Sequence, residues 1–141
     1  VKYWTTTDRE MMQKCGDKMK VLLSIKPEYT DKIFDGTKRY EYRRVIFKRK
    51  EIKMVVIYAT APVQKIIGEF EIGFIIKETI SALWYLTRDL SGMSKEQFFK
   101  YFANKEYGYA ISIKEAMKYH TPLSIKTRPP QSFKYWTGEI E

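Results

Sequence analysis

The chain has 141 residues, 44% of them apolar and 30% charged, which is one ordinary domain's worth of sequence and excludes a largely disordered protein. One cysteine, Cys15, and one histidine, His120, exclude a Cys/His zinc centre and count against a Ser-His-Asp hydrolase. Lys and Arg number 26 against 17 Asp and Glu, a net charge of +9, and such an excess favours an anionic partner: nucleic acid, an acidic membrane surface or an acidic protein.

Residues 1–18 are polar and nearly neutral and read as an amino-terminal extension or linker, with a short helix fitting Arg9 to Lys14. The domain proper is expected over residues 19–141. Val21, Leu22, Leu23 and Ile25 form a short apolar run, the pattern of a buried strand. Pro27 suits the first turn of a helix, where its missing N–H costs nothing. Tyr29, Ile33 and Phe34 give that helix one apolar face, and Gly36 is placed to end it, so a helix is expected over residues 27–35. Tyr40 and Tyr42 then alternate with Arg39, Glu41 and Arg43, a period of two that predicts a strand with one aromatic and one charged face. If the tyrosines pack inward the charged row meets solvent; in a barrel or cleft it lines the pocket instead.

Met54 to Thr60 predicts a second buried strand, closed by Pro62. Val63 to Lys77 is a longer extended stretch, with Gly68 and Gly73 marking bulges or bends. A helix is expected from Ser81 to Asp89, followed by Gly92. Ser94 and Gln97 form a capping box opening a helix with Phe98, Phe99 and Phe102 inward. Tyr107 to Ile113 reads as a strand, His120 as part of a loop, Pro122 to Ile125 as strand-like. Pro129-Pro130 stiffens the approach to Phe133, Tyr135 and Trp136. This order predicts a small α+β domain: a curled or closed β-barrel with a few short helices outside.

Between Lys38 and Lys53 lie eight basic residues and two acidic ones; Arg43, Arg44, Lys48, Arg49 and Lys50 among them make a phosphate rail or a solvated basic loop. Gly36-Thr37-Lys38-Arg39-Tyr40-Glu41-Tyr42-Arg43 fits the pattern Gly-x-Lys-x-x-Glu-x-Arg. On this octapeptide, on Leu23 to Pro27, Tyr58 to Pro62 and Ile67 to Phe70, and on Pro129-Pro-Gln-Ser-Phe133, the sequence resembles the ASCH domain family. The resemblance implies a PUA-like β-barrel related to EVE and YTH domains, a cleft lined by the motif residues, and an RNA-directed role. Some members of the family look to be ribonucleases, and one branch is an N4-acetylcytidine amidohydrolase working through lysine, threonine and glutamate. Glu41 stands here where that branch has its threonine, which counts against an amidohydrolase.

Glu41 and Arg43, two apart on a strand, share one face, with Lys38 at its start. Such a cluster has two chemical uses. As a binding site, Lys38 and Arg43 hold phosphate while Glu41 orients the guanidinium. As a catalytic site, Glu41 takes a proton from a ribose 2′-hydroxyl while Lys38 or Arg43 stabilises the phosphorane, metal-free cleavage that needs no histidine. The plain alternative is an ion pair within a barrel. Lys26, Lys38, Arg43, Arg44, Lys48 and Arg49 are the candidate nucleic-acid contacts, with Tyr58, Phe133, Tyr135 and Trp136 as stacking candidates, of which Tyr58 and Phe133 fit the core better. RNA is the expected partner and an acidic protein the runner-up. No cofactor or metal is expected. No apolar run reaches the ~18 residues of a membrane span and no secretory signal opens the chain; with a single cysteine, cytoplasm is the expected compartment.

Overall fold

A computed structural model of the chain describes residues 2–8 and 19–136; the helix expected at Arg9 to Lys14 and Cys15 lie outside them. Seven strands form one mixed sheet in the order β1-β6-β5-β4-β2-β7, with β3 also on β6. In chain order these are β1 (Lys2–Trp4), β2 (Lys20–Ile25), β3 (Tyr40–Arg43), β4 (Met54–Ala59), β5 (Lys65–Thr79), β6 (Tyr107–Leu123) and β7 (Phe133–Trp136). β2 runs parallel to β4 and antiparallel to β7, and β1 runs parallel to β6. Every other pairing among them is antiparallel. β1 and β3 lie along the same partner strand, at Met117–Tyr119 and Tyr109–Ser112.

Alternation within β2 and β4 sends their side chains to two separate cores, as period two requires. Val21, Leu23, Ile25, Val55 and Ile57 pack on one face with Ile33 and Phe34 of helix α1 (Pro27–Asp35). Leu22, Val56, Tyr58 and Trp136 pack on the other, with Trp4 against them. A third cluster joins Tyr42, Leu83, Phe98 and Phe102, uniting β3 with helices α2 (Ile80–Thr87) and α3 (Lys95–Tyr101). Helix α1 has the bounds its pattern predicts: Gly36 closes it at φ 87°, a left-handed turn that favours glycine. Ser94 and Gln97 make the expected capping box on α3. The ladders of β5 shift register around Gly68 and Gly73.

Two expectations need correction. Of the curled or closed sheet expected, the closed form is not found: the strand order ends at β7 on one side, and among the described residues no strand joins β7 to β3. That gap is spanned by a side chain, since an Arg43 Nη2 N–H donates to the Ser132 carbonyl. His120 belongs to no loop, because β6 continues through it to Leu123, and the imidazole is exposed there. The polar run Lys114–Thr121 hid this, although Met117 and Tyr119 alternate inward within it. No helix among the described residues is long and apolar enough to cross a membrane.

Candidate functional site

Where the sheet stays open it leaves a cleft of about 840 Å³. Its walls come from the end of β2 and the first turn of α1 (Ser24 to Tyr29), from β3 and the residues after it (Glu41 to Val45), from α3, and from Gln131 and Ser132 before β7. The charged row of β3 therefore turns into the cleft, where Glu41 is 6% and Arg43 8% exposed. Arg43 bridges two elements: Nη1 lies 3.4 Å from Glu41 Oε2, and Nη2 reaches the Ser132 carbonyl. Ser24 Oγ donates to the Pro130 carbonyl at 2.7 Å, so the Pro-Pro-Gln-Ser segment is tied to β2 as well as β3.

Lys38 is wholly buried and stands behind the cleft wall. Its ammonium donates to the Ser91 carbonyl at 2.7 Å and lies 4.8 Å from the Tyr42 ring centroid and 5.2 Å from that of Tyr29. Gly92 presses on its stem at φ 68°, where a Cβ would meet Lys38 Cβ at 2.5 Å. Burial pulls the Lys38 pKa down to about 8, with Glu41 acting against the fall and Lys32 adding to it. A charged lysine costs free energy here because ring faces and one carbonyl replace only part of its hydration.

Three phenols surround Glu41. Burial raises the pKa of Tyr29, Tyr42 and Tyr101, and the Glu41 carboxylate raises each of them further. Tyr42 is pushed up to about 12; its hydroxyl lies 2.6 Å from Thr87 Oγ1, whose own proton goes to the Leu83 carbonyl. The tyrosines thus offer neutral rings around one carboxylate, with Arg43 beside it.

Of the residues singled out in the sequence, the fold brings Lys26, Glu41, Arg43 and Arg44 to the cleft wall and Lys38 directly behind it. Arg44 is exposed at the rim, its guanidinium 5.0 Å over the Tyr101 ring. Lys48 and Arg49 lie farther along the same segment, at Tyr135. Tyr58 is 6% exposed within the opposite core, and Phe133 is half-buried against Phe47 and Tyr135. Neither ring is among those lining the cleft. Sequence reasoning missed Tyr29 and Tyr101 as cleft residues, along with Lys100 and Lys105. The available signal was in α3: with Phe98 and Phe102 inward, Gln97, Lys100 and Tyr101 remain on its other flank.

The fold is that of an ASCH domain. The ASCH domain family model matches residues 23–117, and the chain belongs to that family. It is 27% identical over 123 residues to the large ribosomal subunit protein uL22 of Ureaplasma parvum, covering 82% of this chain but 38% of that protein. It is 28% identical over 112 residues to an ASCH domain-containing ribonuclease of Zymomonas mobilis, covering 79% of this chain and 73% of the relative. The crystal structure of ASCH from Zymomonas mobilis superposes with a TM-score of 0.77 at 26% identity, over 85% of this chain and 88% of that one.

Proposed function

We propose that the protein binds single-stranded RNA in the cleft at the open side of its sheet. The observation that carries this reading is the composition of the wall: Lys26, Arg43, Arg44, Lys100 and Lys105 with two carboxylates, Glu28 and Glu41, beside the half-buried rings of Tyr29 and Tyr101. Cations for the backbone and neutral aromatic faces for unstacked bases are what single strands require. Arg43 is held in place before any ligand arrives, which reduces the ordering cost of binding.

A second reading, cleavage at the same site, is favoured by the position of Glu41 on the wall beside a fixed guanidinium and by the ribonuclease among the relatives. Glu41 accepts the proton of a ribose 2′-hydroxyl, whose oxygen attacks the adjacent phosphorus. The 5′-oxygen leaves and takes a proton from solvent, a 2′,3′-cyclic phosphate remains, and Glu41 returns its proton to solvent. Arg43 stabilises the charge that develops on phosphorus. Lys38, wholly buried, has no contact with the substrate in this reading.

The test is a titration of end-labelled single-stranded RNA at two salt concentrations, with the RNA run on a gel afterwards. Binding should weaken with salt, and Arg44→Ala should weaken it about tenfold. Affinity indifferent to both overturns the cleft as the RNA site and points to the acidic protein partner. If RNA is shortened, Glu41→Gln should keep binding and lower the cleavage rate ~10²–10⁴-fold; cleavage that survives removes Glu41 as the base.

A further inference from the structure

Two stretches of chain leave the cleft and meet again at Tyr135. On one, Arg44 and Val45 line the cleft; on the other, Gln131 and Ser132 do. The Tyr135 hydroxyl accepts the backbone N–H groups of Lys48 at 3.1 Å and Arg49 at 3.3 Å. The Arg49 guanidinium lies 5.0 Å over the same ring. Phe133 backs this junction, its ring centroid 5.6 Å from that of Tyr135 and 6.1 Å from that of buried Phe47. Arg49 also touches Met19 Sδ at 3.0 Å and stands 3.9 Å from Glu51.

The junction repeats the rim of the cleft, where Arg44 lies 5.0 Å over Tyr101. Each stack covers one face of a guanidinium; a base can stack on the other face and a phosphate can pair with the N–H edge. The two arginines are five positions apart, a span of at most ~18 Å of extended chain. Between Arg44 and Lys50 there are four cations and no carboxylate, and Lys48, Arg49 and Lys50 are all exposed. The loop is anchored by the Tyr135 hydroxyl and by Ile46, Phe47 and Ile52 on the core; these anchors do not call for three consecutive exposed cations.

We propose that this track is a second RNA station, which receives nucleotides of the same strand after it leaves the cleft. The proposal rests on the cleft reading and adds to it a length requirement: the ligand is an oligonucleotide, held at Arg44–Tyr101 and again at Arg49–Tyr135.

Fluorescence anisotropy on the full chain, with labelled single-stranded RNAs of two and eight nucleotides, tests it. The octanucleotide should bind roughly tenfold tighter than the dinucleotide. Lys48→Ala/Arg49→Ala, two exposed positions, should remove that advantage, leave the dinucleotide unaffected and reduce the salt slope for the octanucleotide by about 1.4, at ~0.7 per phosphate contact. Arg44→Ala should weaken both lengths. An octanucleotide no tighter than the dinucleotide, or one indifferent to the double substitution while Arg44→Ala weakens it, overturns the second station and leaves the cleft standing. If neither RNA binds, both readings fall together.

Discussion

Two buried lysine–glutamate clusters stand on different parts of this sheet, and they are built differently. On the face away from α1, Lys20 Nζ lies 2.7 Å from Glu69 Oε1 and the Tyr119 hydroxyl donates to Glu69 Oε2 at 2.5 Å. Trp4 of β1 closes over the lysine, its ring centroid 6.0 Å away. Both carboxylate oxygens there have protein partners, the arrangement a buried ion pair needs to offset its desolvation. At the cleft, Lys38 faces rings and a backbone carbonyl, and among the described residues Glu41 has the one 3.4 Å ion-pair contact with Arg43. The first cluster spends its charges on the fold. The second keeps a carboxylate and a guanidinium beside an open volume, where a ligand supplies the remaining interactions.

The largest expected effect comes from breaking the satisfied cluster. Glu69→Gln leaves the Lys20 charge buried without its counter-charge, and removing one partner of a buried pair costs about 3–5 kcal/mol. Urea unfolding should register that loss, while the affinity of the folded fraction for RNA stays at the wild-type value. A stability change below 1 kcal/mol (roughly that of an exposed pair) would refute the contrast. Lys38→Met should show the opposite character. A pKa of about 8 in the fold, below the ordinary lysine value, means that the unfolded chain holds the proton more tightly. Wild-type stability therefore rises as pH climbs from 8 toward 10.5, by about 3 kcal/mol in all. Tyr42, with its pKa pushed up to about 12, works the other way above pH 10, so the comparison belongs between pH 7 and 10. The methionine variant should lack the rise; if it keeps the wild-type slope, the titrating group is not Lys38.

Local signals carried most of the fold. Pro27 and Gly36 bound α1, the alternation from Tyr40 to Arg43 is a strand, and the glycines of β5 lie at its register shifts. What stayed hidden depends on partners far apart in the chain. Lys38 sits in a basic run that reads as solvated, and the packing of Ser91 and Gly92 over it, with the rings of Tyr29 and Tyr42, removes it from water. Lys20, Glu69 and Tyr119 are 49 and 50 residues apart; a glutamate within the otherwise apolar Ile66–Phe70 stretch was the one local hint. β1 gave none, being three residues long and dependent on β6 for every backbone partner. At the site, the motif located β3, but Tyr29 and Tyr101 arrive from helices whose apolar residues read as core.

The smallest effect probes how the cover over Lys38 is made. Gly92→Ala places a methyl at φ 68°, a backbone penalty of about 1–2 kcal/mol, and also drives that methyl to 2.5 Å from Lys38 Cβ. The atoms it meets are the root of the lysine rather than its flexible end, so the stem and the 91–92 backbone must separate. Gly36→Ala supplies the control: its φ is 87° and nothing lies within 4 Å of the added carbon, so it carries the backbone penalty alone. At pH 7 Gly92→Ala should lose more stability than Gly36→Ala, by the cost of that separation. Only Gly92→Ala should flatten the rise between pH 8 and 10, because water admitted beside Lys38 returns its pKa toward the ordinary value. Identical pH profiles for the two variants would mean that Lys38 owes its low pKa to the rings of Tyr29 and Tyr42 and not to the chain packed over its stem.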